Sequence, residues 1–190
     1  MVSGITLEPF DFQEKAVLKL LNMTTDSNEK QTIVMKAPTG SGKTIILIAF
    51  VDEYLSKVNA NTAFIWLCPG KGDLEEQSRI KMQKFAPQRN TQNLFDALQN
   101  GFSAESTTFI NWELVTKKGN TAIRDGERKN LFDRIAEAHR SGLDFIIIIV
   151  FFVKHFSPFS SFHIPIVIMG NSSLSAGLVR IQIPQLRPAA

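Results

Sequence analysis

The sequence contains one cysteine, Cys68, in 190 residues. A single thiol excludes an internal disulfide framework and any zinc site built from several thiolates, and it is typical of a reducing compartment. The longest apolar run, residues 145–153, is well short of the roughly 18–20 residues that a membrane-spanning helix needs. The first ten residues lack the basic and apolar segments of a signal peptide. We therefore expect a cytoplasmic protein that has no membrane partner.

Acidic residues are absent after Asp144, although 18 of them are spread over the chain before that point. Residues 1–144 are formally neutral because 18 of the 21 Lys and Arg residues balance these acids. The net charge of +3 therefore comes from Lys154, Arg180 and Arg187. This distribution does not indicate a basic surface for nucleic acid. It indicates a change of composition near residue 145.

Apolar patterning predicts helices that alternate with strands. Helices are expected at 12–21, 43–57, 74–85 and 127–140, and short apolar strands at 31–36, 63–68, 107–112 and 145–149. In the last helix, Leu131, Phe132 and Ile135 are expected to face inward. The segment 86–106 is polar, has no clear period and is left unassigned. The alternation favours one α/β domain with a parallel sheet flanked by helices.

A glycine-containing loop follows the first predicted strand and precedes a predicted helix. It reads Ala37-Pro38-Thr39-Gly40-Ser41-Gly42-Lys43-Thr44. In a phosphate-binding P-loop the glycines let successive backbone N–H groups point at phosphate oxygens, and the helix N-terminus adds partial positive charge. Lys43 would reach the β- and γ-phosphates of ATP, and the Thr44 hydroxyl would bind Mg²⁺. The alternative is a glycine-rich turn that carries a surface lysine.

This octapeptide resembles motif I of superfamily 2 helicases and translocases, in which the first position is Ala rather than Gly. Upstream, Phe10-Asp11-Phe12-Gln13 is similar to the family segment that binds adenine. The resemblance implies that an aromatic ring, Phe10, packs on the base and that Gln13 hydrogen-bonds its edge. The alternative for Gln13 is an exposed helix residue.

Two downstream segments resemble further parts of the same family. Leu67-Cys68-Pro69-Gly70, followed by Gln77, is similar to motif Ia, which implies that Pro69, Gly70 and Gln77 hold DNA phosphates. An ordinary strand-to-helix turn is the alternative. Residues 109–113 resemble the segment before the DEAD/DEAH-type strand in Res subunits of type III restriction enzymes. Within them, Trp112 is expected to be a core aromatic residue.

The resemblance implies a P-loop NTPase with a RecA-like fold. ATP and Mg²⁺ would be the cofactors, DNA the substrate track, and a methylation (Mod) subunit a possible partner in type III systems. The chain corresponds to the first motor domain only, and this domain is incomplete. A second RecA-like domain and its arginine finger have no counterpart in the sequence.

The resemblance ends at the strand predicted for residues 145–149. In the family this strand leads into Asp-Glu, whose carboxylates hold Mg²⁺ and deprotonate the attacking water. Here these positions are Val150 and Phe151, which neither bind a hard cation nor accept a proton. The Ser-Ala-Thr segment that follows in the family is also absent. No catalytic residue is therefore expected to be intact.

We divide the chain into an ATP-binding domain, residues 1–149, and a tail, residues 150–190, that is unrelated to the family pattern. The preferred hypothesis is a frameshift or rearrangement, because both acids are lost and the tail contains no acid at all. The competing hypothesis is a genuine divergent segment that covers the sheet edge with its own strands, such as residues 164–169.

The predicted function is that of an ATP-binding domain of a DNA helicase or translocase that hydrolyses ATP poorly. The alternative is a non-catalytic module that binds a nucleotide or a partner. Another P-loop ATPase or a small kinase ranks below both. It would need an acid at a strand end, and the sole candidate, Glu113, is better explained by the family segment.

Overall fold

The computed structural model describes residues 5–25, 31–70, 72–116, 125–150, 163–169 and 177–182, the last two ranges by their backbone alone. The helices are α1 (Asp11–Thr25), α2 (Lys43–Lys57), α3 (Leu74–Phe85), α4 (Leu94–Asn100), α5 (Trp112–Thr116) and α6 (Asp125–Arg140). The strands are β1 (Gln31–Pro38), β2 (Thr62–Cys68), β3 (Asn90–Asn93), β4 (Ser106–Asn111), β5 (Asp144–Val150), β6 (His163–Met169) and β7 (Gly177–Gln182).

The strands form one sheet in the order β3-β4-β2-β5-β6-β1-β7. The first four strands in that order are mutually parallel, which confirms the predicted parallel sheet flanked by helices. β6 then runs antiparallel to both β5 and β1, and β7 runs parallel to β1. The sheet is therefore mixed, and its antiparallel strand comes from the segment beyond residue 150.

Helices cover both faces of the sheet because the central strands are apolar on both sides. On β2, Phe64 and Trp66 belong to the larger core cluster, which also contains residues of α1 and α2 and Met82 of α3. We call this cluster the main core. Ala63 and Ile65 alternate with them and pack against α4 and α6. Such two-sided burial is expected of parallel strands. No helix in the described part of the chain has the length and hydrophobicity that crossing a membrane requires.

Most predicted elements are found at or near their expected positions. α2 and α3 have the predicted bounds, and α1 extends the predicted helix to Thr25. The unassigned segment contains β3 and α4. Its α4 begins with a capping box, in which the Asn93 side chain accepts from Asp96 N at 2.9 Å and Asp96 accepts from Asn93 N at 3.0 Å.

Two predictions about aromatic side chains are wrong. Phe132 was expected to face inward on α6, but 62% of it is exposed, whereas its neighbour Leu131 is buried. Trp112 was expected in the core, yet it is 43% exposed at the start of α5. In both cases an apolar residue lies on a short or polar helix, whose period alone does not define the buried face.

A buried ion pair ties α2 to the turn between α3 and β3. Asp52 is fully buried, and Arg89 Nε donates to its Oδ1 at 2.6 Å. Arg89 also donates to Asp52 O at 3.0 Å and to the Ser56 hydroxyl, and Gln88 Nε2 donates to Asp52 Oδ1 at 2.8 Å. A further bond of 3.3 Å reaches Glu105. Two helices and the approach to β4 therefore depend on one guanidinium group.

Candidate functional site

The predicted phosphate-binding loop lies between the end of β1 and the start of α2. Gly40 and Gly42 have φ values of 82° and 75°, in the left-handed region where glycine is favoured. Gly42 is the N-cap of α2 and has no side chain to accept from the first helical amides. Those amides have no intrahelical acceptor, so they remain suited to an anionic ligand.

The loop residues fit a nucleotide phosphate. A Cβ built on Gly40 meets nothing within 4 Å, so its backbone borders open space. Consecutive N–H groups in such left-handed turns form an anion-binding concavity, and the 15-residue helix α2 adds its N-terminal dipole. Lys43 supplies a cation at the same point. For Mg²⁺, the fit is limited to the hydroxyl of Thr44 in the first turn of α2.

The Lys43 ammonium group is turned back onto the loop. Its Nζ donates to Ala37 O at 3.1 Å and also to Pro38 O. Burial lowers the pKa of Lys43 below its ordinary value, because desolvation disfavours the charged form. A phosphate at the loop would restore a favourable environment for this charge. Binding would then exchange two carbonyl acceptors for phosphate oxygens.

The remaining loop side chains stabilise the turn. Ser41 Oγ donates to Pro38 O at 2.8 Å, and Ser41 N donates to the same carbonyl at 3.3 Å. Pro38 is the last residue of β1, and Thr39 is exposed at the tip of the loop. The carbonyl oxygen of Pro38 therefore accepts hydrogen bonds from the side chains of both Ser41 and Lys43.

Gln13 of α1 lies against the loop, and this contact rules out the exposed-residue alternative. The residue is 5% exposed. Its Nε2 donates to Ser41 O at 3.1 Å, and its Oε1 accepts from Phe10 N at 3.0 Å. A Cβ on Gly42 would lie 2.2 Å from Gln13 Nε2. Glycine at position 42 is therefore favoured by its backbone conformation, and a side chain there would have to displace the Gln13 amide.

The predicted base-stacking residue, Phe10, is 71% exposed just before α1. Its ring stacks on Phe12 with a centroid distance of 6.0 Å and an interplanar angle of 9°. Phe12 packs against the main core, so it supports the exposed ring from behind. Phe10 and the loop are joined through Gln13, which bonds to the backbone of both.

The contact between Gln13 and Gly42 gives a matched pair of glycine substitutions. Gly42→Ala combines an unfavourable φ with a clash, whereas Gly40→Ala has only the unfavourable φ. We expect Gly42→Ala to lower the free energy of unfolding more than Gly40→Ala does, by roughly 1–3 kcal/mol, the usual cost of overpacking. Urea denaturation of both variants measures the difference.

Removing the clashing side chain provides the control. In the Gln13→Ala background, Gly42→Ala should cost no more than Gly40→Ala, because only the backbone strain remains. An equal penalty for Gly42→Ala with and without Gln13 would show that the two residues are not in contact.

The predicted nucleic-acid residues lie at the loop that follows β2. A Cβ on Gly70 would lie 2.7 Å from Asn111 Oδ1 and 2.9 Å from Glu113 Cδ, so this loop approaches the end of β4 closely. Asn111 Oδ1 also accepts from Glu113 N at 2.9 Å. Pro69 precedes this contact and is half-buried. Gln77 lies on the exposed part of α3 and donates to Gly72 O at 2.8 Å.

Sequence reasoning did not include Asn111 among the site residues. The signal that could have found it is the adjacency of parallel β2 and β4, whose carboxyl ends meet at one edge of the sheet. At that edge Asn111 and Glu113 bring a polar and an acidic group to the backbone of Gly70. The neighbouring Glu76 is paired with Arg79, at 2.7 Å from Nε, which lowers the pKa of Glu76.

The family resemblance implies Asp and Glu at the positions of Val150 and Phe151, and the structure describes the first of these two residues. Val150 ends β5 and packs partly buried against the main core. Phe151 lies outside the described residues. Among the residues that the structure describes, no cluster of three or more His, Cys, Asp or Glu side chains is placed to hold a metal ion.

An α/β sheet with four parallel strands, flanked by helices, and a glycine loop between a strand and a helix N-terminus are typical of a P-loop domain. A family model described as type III restriction enzyme, res subunit, matches residues 6–160. The match spans most of the chain, so the protein belongs to this family and is a helicase-like ATP-binding module of it. The family is ATP-dependent and acts on DNA. No curated protein matches the chain.

Proposed function

We propose that the chain binds ATP at the loop formed by residues 37–44. The observation that carries this proposal is the backbone of Gly40 and Gly42, whose left-handed conformations open the N-terminus of α2 to a phosphate. Pro38, Thr39 and Ser41 shape the loop, Lys43 neutralises the phosphates, and Thr44 offers a hydroxyl to Mg²⁺. A bound nucleotide would supply phosphate oxygens to the same ion, and water would complete its coordination.

The base-binding part of the proposed site consists of Phe10 and Gln13. The exposed face of Phe10 suits stacking on a planar base. Both ends of the Gln13 amide are bonded to protein backbone. The amide still has a second N–H and its oxygen a second lone pair, so Gln13 can keep both bonds and also bond the adenine edge.

We further propose the division into a family-like ATP-binding part, residues 1–149, and a segment of different pattern, residues 150–190. DNA would contact the carboxyl edge of the sheet at Pro69, Gly70 and Gln77, as in the family resemblance. Glu113 lies beside Gly70, so phosphates there would be held by backbone N–H groups rather than by a basic surface. A methylation subunit is the proposed protein partner.

The second candidate function is a nucleotide-binding module without catalysis. The apolar side chain of Val150 at the end of β5 favours it, because that strand end offers no carboxylate to Mg²⁺ or to water. In this proposal the chain binds ATP without turning it over, whereas an ATP-binding domain of a DNA helicase or translocase would hydrolyse ATP poorly. A partner would then respond to the nucleotide-bound state.

Equilibrium binding of ATP to the full chain tests the proposed site. Lys43→Ala should weaken ATP binding about 10- to 100-fold, because it removes hydrogen bonds from a charged donor to phosphate. Isothermal titration calorimetry in the presence of Mg²⁺ measures the change.

The control is Lys81→Ala, which removes the same charge from an exposed position on α3. We expect native affinity for this variant. If Lys43→Ala bound ATP as tightly as the native chain, the proposed phosphate site would be wrong.

A further inference from the structure

The strand that leads into the phosphate loop is paired with strands that come much later in the chain. β1 lies between β6 and β7, and within the described residues these are its two strand neighbours. Both come from residues 163–182, beyond the range that the family model matches. The other half of the sheet, β3, β4, β2 and β5, reaches β1 through β6.

The pairing covers the whole of β1. Residues 32–38 oppose residues 163–169 of β6, and residues 31–36 oppose residues 177–182 of β7. The last two residues before the loop are included, because Ala37 is paired with Ile164 and Pro38 with His163. Pro38 supplies the carbonyl that Lys43 and Ser41 share. The start of β6 therefore lies beside the anchor of the phosphate loop.

β6 contains a native proline at a position paired with β1. Pro165 has no N–H and opposes Lys36 of β1. Within the described residues, the pairing of β6 with β5 reaches Ile166, the next residue along β6. Because proline has no N–H to donate, residue 165 can contribute only its carbonyl to a ladder.

We propose that β6 and β7 position the nucleotide site by holding β1 in the sheet. This proposal rests on the proposed function for its consequence at the phosphate loop. The structural part stands alone: β6 bridges β1 to β5, and β7 covers the other side of β1. A segment that departs from the family pattern thus completes the domain that carries the loop.

The physical reason is the backbone of β1. Without β6 and β7, its N–H and C=O groups would lose their ladder partners, and buried unpaired backbone groups are costly. Ile33 and Met35 would still pack on the core, but the direction in which the chain enters the loop would no longer be constrained. Anion binding by backbone N–H groups depends on that direction.

Engineered cysteine pairs test the register in the full chain. Val34 opposes Val167, so Val34→Cys with Val167→Cys should form a disulfide under mild oxidation. Val34→Cys with Met169→Cys places the thiols two residues out of register, beyond bridging distance, and should not. Native Cys68 gives little background, since burial raises the pKa of its thiol to about 12. Equal cross-linking of both pairs, or of neither, would overturn the pairing.

A proline substitution tests the positioning role. Val167 lies between Val34 of β1 and Ile149 of β5, so its N–H belongs to one ladder or the other. Val167→Pro should increase amide exchange of residues 32–37 roughly 100-fold, given the usual cost of a proline in a central strand. It should also weaken ATP binding. The matched control, Val167→Ile, keeps the N–H and should change neither quantity.

The two readouts separate this proposal from the proposed function. Unchanged exchange of β1 in Val167→Pro would overturn the positioning role, whether or not the chain binds ATP. A chain that shows the cross-link and the exchange effect but no ATP binding would overturn the proposed function and leave the sheet architecture supported.

Discussion

Replacing Arg89 by methionine is expected to lower the free energy of unfolding by about 3–5 kcal/mol, the usual cost of breaking a buried ion pair from one side. Asp52 has no exposed surface, and Arg89 is its ionic partner at 2.6 Å. The substitution leaves a buried carboxylate with Gln88 as its remaining side-chain donor. It also removes the bonds that join α2 to the turn before β3.

Equilibrium urea unfolding of the native chain and of Arg89→Met measures this loss. Arg79→Met is the matched control, because Arg79 forms an ion pair with Glu76 at the surface of α3. Surface pairs contribute at most about 1 kcal/mol. The double variant Asp52→Leu, Arg89→Met should recover part of the loss, since it buries no charge. Equal destabilisation by Arg89→Met and Arg79→Met would contradict the claim that the buried carboxylate of Asp52 is stabilised by its ion pair with Arg89.

ATP hydrolysis by the chain is expected to be slower by about 10²–10⁴-fold than in a P-loop enzyme with an intact general base. The end of β5 carries Val150, which offers neither an oxygen ligand nor a proton acceptor. Phosphate release, measured with and without duplex DNA, should not exceed that of Lys43→Ala. DNA-stimulated turnover that disappears in Lys43→Ala would contradict this prediction.

Introducing carboxylates at positions 150 and 151 tests whether their absence there explains the slow hydrolysis. In Val150→Asp, Phe151→Glu, a carboxylate at the end of β5 would provide an oxygen ligand for Mg²⁺. We expect ATP binding by this variant to become more dependent on Mg²⁺ than binding by the native chain. The matched amide variant Val150→Asn, Phe151→Gln lacks the negative charges and should show a smaller gain. Equal Mg²⁺ dependence in all three proteins would show that these positions do not face the nucleotide site.

The parts of the fold that the sequence predicts are those whose causes are local. The glycine loop at residues 37–44 lies between β1 and α2 as predicted, because Gly-Lys-Thr follows an apolar strand and begins an apolar helix. The bounds of α2 and α3 follow from periodic apolar residues and from the Pro and Gly residues that precede α3. The parallel order of β2, β4 and β5 follows from the alternation of strands with helices.

The parts that escape prediction depend on contacts between distant residues. Gln13 and Gly42 are in different elements, so neither residue alone indicates that one occupies the space a side chain would need on the other. Asp52 and Arg89 likewise form their pair only once α2 and α3 are packed. β3 is short and polar, which hides it from hydrophobic patterning. β6 pairs with β1 and β5 in the antiparallel direction, and no local sequence pattern indicates which strands will be its neighbours.

The most direct test of the central claim is an ATP titration followed by the backbone amide resonances of the full, isotope-labelled chain. The account predicts that ATP shifts the amide signals of Gly40, Gly42, Lys43 and Thr44, and that Lys43→Ala greatly reduces these shifts at the same ATP concentration. Shifts confined to other parts of the chain, or none at saturating ATP, would contradict the claim that this loop binds the nucleotide.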